Sequence, residues 1–335
     1  DVARNNLGQL AVAMAGTVNA QHRMGMDLDG QLGGDLFAVV APAVLPHRDN
    51  SGSAILTAAI NDPKAVTSSD YQARYDGSQW EITRLSDGVR TTGSLPLALD
   101  GVTLDMTGTP AAGDRFLIQP TAGAADSLSV VLDGPRALAA ASPIRTSAAL
   151  GNTGTGRIDP GIVVDPSDPA LLVTTTFEFL TPTTYTINGV GSYTYTAGAP
   201  ITVNGWQIRL EGAPQAGDQF TVAANSGGVG NNRNALALAG LQSQRLLDGG
   251  SATYGERYES LVGEVANRSR QASLGRDTQR LLADQARAAR ESVSGVNLDE
   301  EAAQMLRFQQ AYQASAQVIA IANNLFQTLL DAVRR

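Results

Sequence analysis

Apolar and small residues recur at alternating steps of four and three through residues 294–335. The row that they form is Leu298, Ala302, Met305, Gln309, Tyr312, Ala316, Ile319, Asn323, Phe326, Leu330 and Val333. This spacing predicts a coiled-coil helix, because it keeps one seam of the helix turned toward a partner. Since no stop signal follows the seam, we expect the partner helix to lie on another molecule.

A second apolar row runs beside the first and consists of Ala303, Leu306, Ala314, Val318, Ile321, Leu325 and Leu329. A helix with two apolar faces is enclosed by neighbours on more than one side. We therefore predict a subunit interface formed by Leu298, Met305, Leu306, Tyr312, Val318, Ile319, Leu325, Phe326, Leu329 and Leu330. Gln309 and Asn323 weaken the seam but can fix its register. Asn297 or Asp299 can cap the helix.

Three earlier stretches also have the helical period. The first covers residues 2–23 and ends before Gly25, with an apolar stripe of Ala3, Leu7, Leu10, Ala11, Met14 and Val18. The second covers residues 234–250, behind an asparagine-rich segment that can cap it and ahead of two glycines that end it. The third is a long helix over about 253–294.

A β region lies between these helices. Asp76-Gly77 and Asn188-Gly189 predict hairpin turns within two alternating stretches. Residues 101–121 and 205–225 repeat each other, and five positions match at a constant offset: Gly108, Pro110, Gly113, Asp114 and Phe116 with Gly212, Pro214, Gly217, Asp218 and Phe220. The middle of the chain therefore holds two related β lobes that arose by duplication.

The order helix, β, β, helix predicts an α+β multidomain protein. Both chain ends form a coaxial α-helical rod, because neither end can bury its apolar stripe alone, and the two β-rich lobes are inserted into it. The predicted domains are a discontinuous helical rod (1–50 and 228–294), a first β lobe (51–142), a second β lobe (143–227) and a terminal coiled-coil helix (295–335).

Composition removes several classes of function. A net charge of −8, from 24 basic and 32 acidic residues, argues against a protein that binds nucleic acid or anionic membranes. The chain has no cysteine, which excludes disulfides and thiolate chemistry. No apolar run approaches the ~18–20 residues of a membrane-spanning helix, so we expect no membrane insertion.

Three segments invite a chemical interpretation, and each is better explained as structure. The glycine-rich loop 25–35 carries Asp27, Asp29 and Asp35 but has Ala38 where a calcium loop needs a glutamate. Residues 47–53 hold a histidine, an aspartate and two serines without a nucleophile elbow. Residues 226–234 open a helix but lack the ending of a phosphate-binding loop. We therefore predict no enzyme, no catalytic residue, no cofactor and no metal site.

The aromatic residues of the β region leave one binding function open. Trp80, Trp206, Tyr185, Tyr193 and Tyr195 could stack on sugars. We favour the interpretation that they fill small β cores, since aromatic side chains supply much of the buried area there.

Several of these segments resemble the flagellar axial proteins, the family of rod, hook and hook-associated proteins. The terminal segment 294–333, with NLDEE and QQAYQA, is similar to the C-terminal signature of that family. The stretches LGQLAVAMAGTVNAQHRMGMDLDGQLGGDLF (7–37) and GVGNNRNALALAGLQ (228–242), together with P-x-A-G-D-x-F in both lobes, narrow the resemblance to the hook-associated proteins of the hook–filament junction.

The resemblance implies a structural subunit that is exported unfolded by the flagellar type III apparatus to the extracellular flagellum. It implies a ring of about eleven copies between hook protein and the third hook-associated protein, with the terminal helices lining the central channel. A flagellar export chaperone is expected on the C-terminal helix before assembly. Because residues 2–23 resemble the middle of a helix, an N-terminal segment is also expected, which would pair with the terminal helix.

Two alternatives stay open. The chain could be another axial protein, such as hook protein or the third hook-associated protein. It could instead be a surface carbohydrate-binding or adhesive module built on the lobes, in which case Trp80 and Trp206 would contact glycans.

Overall fold

The computed structural model describes residues 2–228, 230–295 and 298–333. These residues form two compact units, Asp1–Val265 and Ala266–Arg335. The first helix, α1, covers Val2–Arg23 and confirms the predicted helix.

The buried face of α1 differs from the predicted apolar stripe. Leu7 of that stripe is 44% exposed, whereas the buried side of the helix consists mainly of small and polar residues: Asn5, Asn6, Gly8, Gln9, Ala11, Val12, Ala13, Ala15, Thr17, Asn19 and His22. The buried side of α1 is rich in polar residues because the helix packs against backbone and carboxylate groups, which need hydrogen-bond donors and acceptors. The Gln9 amide, for example, donates to the Val66 carbonyl at 2.8 Å.

The first lobe is built of antiparallel strands. Its elements are β1 (Phe37–Ala38), β2 (Ala43–Pro46), β3 (Ile55–Ile60), β4 (Tyr71–Tyr75), β5 (Trp80–Arg84), β6 (Arg90–Gly93), β7 (Leu97–Leu99), β8 (Val102–Thr107), β9 (Arg115–Gln119), α2 (Ala124–Ser127) and β10 (Ser129–Val130). One sheet has the order β2-β9-β4-β5-β6, a second has the order β3-β8-β7, and β1 pairs with β10. The four residues after Tyr75 connect β4 to β5 at the predicted Asp76-Gly77 turn.

The second lobe repeats this plan. Its strands are β11 (Ile144–Ala148), β12 (Arg157–Ile158), β13 (Ile162–Val163), β14 (Thr175–Thr181), β15 (Thr184–Ile187), β16 (Val190–Thr194), β17 (Pro200–Val203), β18 (Trp206–Glu211) and β19 (Gln219–Ala224). One sheet has the order β11-β19-β14-β15-β16, while β12, β13 and β17 all pair with β18. Asn188 and Gly189 both have positive φ and form the predicted two-residue turn between β15 and β16.

The two lobes therefore share one strand order, as the internal repeat predicts. The repeated segments become β8 and β9 in the first lobe and β18 and β19 in the second. In the five-stranded sheet of the first lobe, β9 lies between β2 and β4. In that of the second lobe, β19 lies between β11 and β14 in the same way.

The repeated aspartate explains why the motif is kept in both lobes. The carboxylate of Asp114 accepts the backbone N–H groups of Ser51 and Ala111, each at 2.9 Å, and that of Gly52. A side chain on Gly52 would collide with this carboxylate. These donors, led by Ala111, hold the pKa of Asp114 below its usual range. The loop 47–53, whose residues could have suggested a hydrolytic triad, is thus part of a structural cradle.

Asp218 forms the same cradle in the second lobe. Its carboxylate accepts the N–H groups of Thr153 at 2.7 Å, Gly154 at 3.0 Å and Gln215 at 2.9 Å. Burial raises the pKa of Asp218, but the three donors outweigh it and the pKa is lowered. The donors on the loop side of both cradles come from segments of one pattern, N-[ST]-G-[ST], at 50–53 and at 152–155.

We expect Asp114→Asn to lower the free energy of unfolding by about 2 kcal/mol or more at pH 7, because the amide turns a donor toward N–H groups that are left unpaired. Since the folded pKa is depressed, the wild-type carboxylate stabilises the lobe above the unfolded value of about 4 and loses this effect as the pH falls further. The difference between variant and wild type should shrink at acid pH. Urea titrations at pH 7 and pH 3 measure both effects.

Asp105→Asn is the matched control, because this carboxylate is exposed on β8 and accepts a single N–H group, that of Met106. It should change the free energy of unfolding by less than about 0.5 kcal/mol. Equal losses in the two variants would contradict a specific role for the cradle.

The helices of the C-terminal part are α3 (Arg233–Gly240), α4 (Tyr254–Ser294) and α5 (Leu298–Val333). The predicted helix 234–250 is too long, since α3 ends at Gly240 and a 3-10 turn follows. The chain becomes extended at Gln244, and Leu247 beyond it is 1% exposed and pairs with Ala252. The long helix predicted over 253–294 is confirmed.

The α+β class and the two related lobes are thus confirmed, whereas the coaxial arrangement of the rod stays a prediction. The four predicted domains also stay a prediction. The sheet of the first lobe already begins with β2 at Ala43, ahead of the predicted boundary at residue 51.

Candidate assembly interface

Helix α5 exposes the whole of its two apolar rows. Every residue of Leu298–Val333 is exposed, and none is buried. Among the predicted interface residues, the exposed fraction runs from 52% at Leu330 to 78% at Tyr312. The predicted cap Asn297 lies outside the described residues, while three acidic residues occupy the first turn, where they suit the helix dipole.

Charge is distributed unevenly along α5. Residues 308–330 contain no charged side chain, and the charges of the helix lie only near its two ends. The polar positions between the apolar rows carry neutral amides: Gln310, Gln313, Gln317, Asn324 and Gln327. A partner for this surface has to match apolar and hydrogen-bonding groups, because there is no ionic group in the central stretch for it to pair with.

A second apolar surface lies in the unit Asp1–Val265. It is a groove of about 330 Å³ between α1, α2 and the start of α4, lined by Leu7, Leu10, Ala11, Met14, Ala125, Leu128, Tyr254 and Tyr258. The Tyr254 hydroxyl forms a hydrogen bond with the Thr17 hydroxyl, and Tyr258 is 55% exposed. Four residues of the predicted stripe, Leu7, Leu10, Ala11 and Met14, therefore line a groove whose opposite wall includes Tyr254 and Tyr258 of α4.

The aspartate-rich loop 25–35 has structural partners for its carboxylates. Asp27 accepts the backbone N–H groups of Asp29 and Gln31. Arg136 donates to Asp29 and lowers the pKa of that carboxyl, and Arg23 is paired with Asp35. Over residues 2–228, 230–295 and 298–333, no group of acidic, histidine or cysteine side chains is arranged to hold a metal ion.

The helix starts show one feature that the sequence prediction missed and one, the asparagine-rich cap of α3, that it anticipated. Thr253 and Glu256 form a reciprocal capping box at the start of α4, with backbone-to-side-chain distances of 2.8 and 3.2 Å. The spacing T-x-x-E is the signal that could have shown it. At α3 the cap bond comes from Asn231, whose side-chain oxygen accepts the Arg233 N–H group, rather than from Asn232.

The tryptophans belong to the two lobe cores. Trp80 is 2% exposed and Trp206 is 0% exposed. Trp80 packs edge-on against Phe116, and Trp206 packs edge-on against Phe177. Neither indole is available to stack on a sugar, so the favoured interpretation of these aromatics as core residues is confirmed for both.

Three family models match separate parts of the chain. Residues 1–37 match the flagellar hook-associated protein FlgK helical domain, and residues 45–120 match the flagellar hook-associated protein 1, D2-like domain. Residues 289–332 match the flagellar basal body rod FlgEFG protein C-terminal model. The last match covers almost all of α5.

Relatives extend this similarity over the full length of the chain. Flagellar hook-associated protein 1 of Escherichia coli K12 is 30% identical over 99% of this chain and 46% of its own length. The chain is therefore similar to flagellar hook-associated protein 1 over nearly its whole length. The Salmonella typhimurium relative is 29% identical over 99% of this chain and 47% of its own length. The chain thus spans about half the length of the curated relatives that it matches.

A solved structure supports the same family at the level of the fold. The flagellar hook junction protein FlgK from Burkholderia pseudomallei is 33% identical, and the similarity covers 88% of this chain and 60% of that chain with a TM-score of 0.75. None of these names describes an enzyme. Within the described part of the chain, no helix has the length and apolar character that crossing a membrane requires.

Proposed function

We propose that this chain is a structural subunit of the bacterial flagellum and forms the junction between hook and filament through terminal helices that pack between subunits. The observation that carries the proposal is the exposure of both apolar rows of α5 along its whole length. Each large apolar side chain that becomes fully buried contributes about 1.5–3 kcal/mol, so a helix with this surface is stabilised by neighbours on two sides.

The central stretch of α5 supports copies of the same chain as those neighbours. Because residues 308–330 carry no charge, identical helices can lie side by side without like-charge repulsion. The repeated seam also supplies heterologous contacts of the kind that close into rings. The ring of about eleven copies stays part of the proposal.

The remaining partners follow from the place of the subunit. Hook protein would lie on one side of the ring and the third hook-associated protein on the other. Before assembly, a flagellar export chaperone would cover the apolar rows, since an exposed surface of this kind promotes aggregation. The protein would act outside the cell, after export through the flagellar type III apparatus, and its role would be structural rather than catalytic.

We also propose that the division into domains follows the chain order of helix and lobe. The rod would comprise 1–50 and 228–294, the two lobes 51–142 and 143–227, and the terminal helix 295–335. The separate cores of the two lobes support this division.

Localisation of an epitope-tagged copy tests the proposed place of the subunit. With the tag in the turn at Leu150, which is fully exposed, immunogold labelling should give one band per flagellum at the boundary of hook and filament. Labelling along the hook would identify a hook protein instead. Labelling over the cell body would favour an adhesive surface module.

A further inference from the structure

The two lobes are attached to the helices by different physical means. The apolar core of the first lobe includes Ala11 and Val12 of α1, both buried. The buried core of the second lobe contains only residues between Ile144 and Val222, and Leu32 is the partly buried residue from outside the lobe that packs against it. The first lobe therefore shares an apolar core with α1 in addition to hydrogen bonds such as Gln9 to Val66, whereas the second lobe depends mainly on directional hydrogen bonds at its base.

The first group of these hydrogen bonds connects residues 139–143, the linker before the second lobe, to α1. His22 is fully buried, and its Nε2 accepts the Ala139 N–H group at 2.9 Å. The proton of the ring is therefore on Nδ1, which donates to the Gly34 carbonyl at 2.9 Å. The side chain of Asn234, 4% exposed, donates to the Ala139 carbonyl at 2.6 Å and accepts a bond from Gln21.

The second part continues from the linker to the last strand of the lobe. Asn231 accepts the Ser142 N–H group at 3.1 Å. Asn225, at the end of β19, donates from its side chain to the Ser142 carbonyl at 2.8 Å and from its backbone to the Pro143 carbonyl. These bonds lie close to the linker itself, so they hold the point of attachment but give little leverage against rotation of the lobe.

Arg233 acts farther from the linker. Its guanidinium donates from Nη1 to the Pro160 carbonyl at 2.8 Å and from Nη2 to the Gly161 carbonyl at 3.2 Å. Both acceptors lie in the turn before β13. This turn lies close against the core of the second lobe. Gly161 has a φ of +66°, and any side chain there would press on Ile144 and Ile208. The planar fork of arginine suits two adjacent carbonyls, whereas the compact ammonium of lysine holds them with less fixed geometry.

We propose that Arg233 is the positioning residue that sets the angle of the second β lobe relative to α1 and α3, and that residues 139–143 act as the hinge when its two bonds are lost. The first lobe needs no such residue because it shares a core with α1. The inference concerns the geometry of the chain itself and does not depend on where in the flagellum the protein acts.

Pulsed electron paramagnetic resonance on the full chain tests this inference. The chain has no cysteine, so cysteines at exposed Ala20 on α1 and exposed Val190 on the hairpin of the second lobe can carry spin labels without a background. The distance distribution should be narrow in the otherwise unchanged chain. In Arg233→Gln it should widen roughly twofold or more, as expected when two domains lose a fixed interface. Arg233→Lys should give an intermediate width.

Two controls separate positioning from folding. Arg209→Gln removes an arginine bond to the Gly198 carbonyl, 2.7 Å long, that lies wholly within the second lobe, and it should leave the width unchanged. Labels at Leu150 and Val190, both inside the lobe, should keep a narrow distribution in Arg233→Gln. An unchanged width for Arg233→Gln would overturn the proposal. Equal broadening in the two glutamine variants, or broadening inside the lobe, would overturn it as well.

Discussion

We expect Ile319→Asp or Phe326→Asp to abolish incorporation of the subunit at the proposed hook–filament junction while both β lobes stay folded. Each residue lies in the first apolar row of α5 and is more than 60% exposed in the single chain, so the substitution costs the free subunit little. In an assembled ring the aspartate would replace a buried apolar group, which loses about 1.5–3 kcal/mol of transfer free energy. The desolvation of an unpaired carboxylate adds to that loss at every copy.

Complementation of a strain that lacks the protein measures this effect. Swimming motility and electron microscopy of the junction report assembly, and the amount of subunit in the medium shows that export still occurs. Gln304→Asp is the matched control, because it adds the same charge on α5 outside both apolar rows and outside the charge-free stretch 308–330. Normal motility with Ile319→Asp would contradict the proposed interface, and so would an equal loss with Gln304→Asp.

Removal of residues 294–335 eliminates binding of the proposed export chaperone. The apolar rows of α5 form an exposed surface that the monomer does not cover, and coupled folding and binding of such a segment supplies most of the contact area. Isothermal titration calorimetry with the shortened and the complete chain would show the loss directly. Circular dichroism should show that the β signal is kept.

Leu150→Asp in the complete chain is the control for this experiment. It changes a fully exposed apolar residue in the second lobe and should leave the affinity for the chaperone unchanged. If the chain without 294–335 kept its affinity, the chaperone site would have to lie elsewhere. The heat of binding should also carry a negative heat-capacity change, since apolar area is buried.

Periodicity located the helices well but did not show which face of α1 is buried against the first lobe. The pattern of Leu7, Leu10 and Met14 marks an apolar surface, yet a single sequence does not show which surface is covered within the chain. Buried Asn5, Gln9 and His22 break the rule that polar residues lie outside, because each has a hydrogen-bond partner in the lobes or in the loop after α1. Those partners are far away in sequence.

The repeat of 101–121 in 205–225 was found from the sequence, but the matching segments 50–53 and 152–155 were missed. Asp114 and Asp218 stand out as repeated residues, but their role emerges only when Gly52 and Gly154 are seen beside them. These glycines lie in short segments too small to be significant alone. The opposite error occurred at α3, where an unbroken helical period continued past Gly240, although the chain becomes extended at Gln244 and Leu247 beyond it is buried.

The charge-free stretch of α5 determines how contacts between subunits would respond to salt. If copies pack through residues 308–330, the contact contains no ion pairs for dissolved salt to screen, and apolar association does not weaken as salt rises. Contacts between subunits that are formed in this way would be as stable in dilute fresh water as in brine.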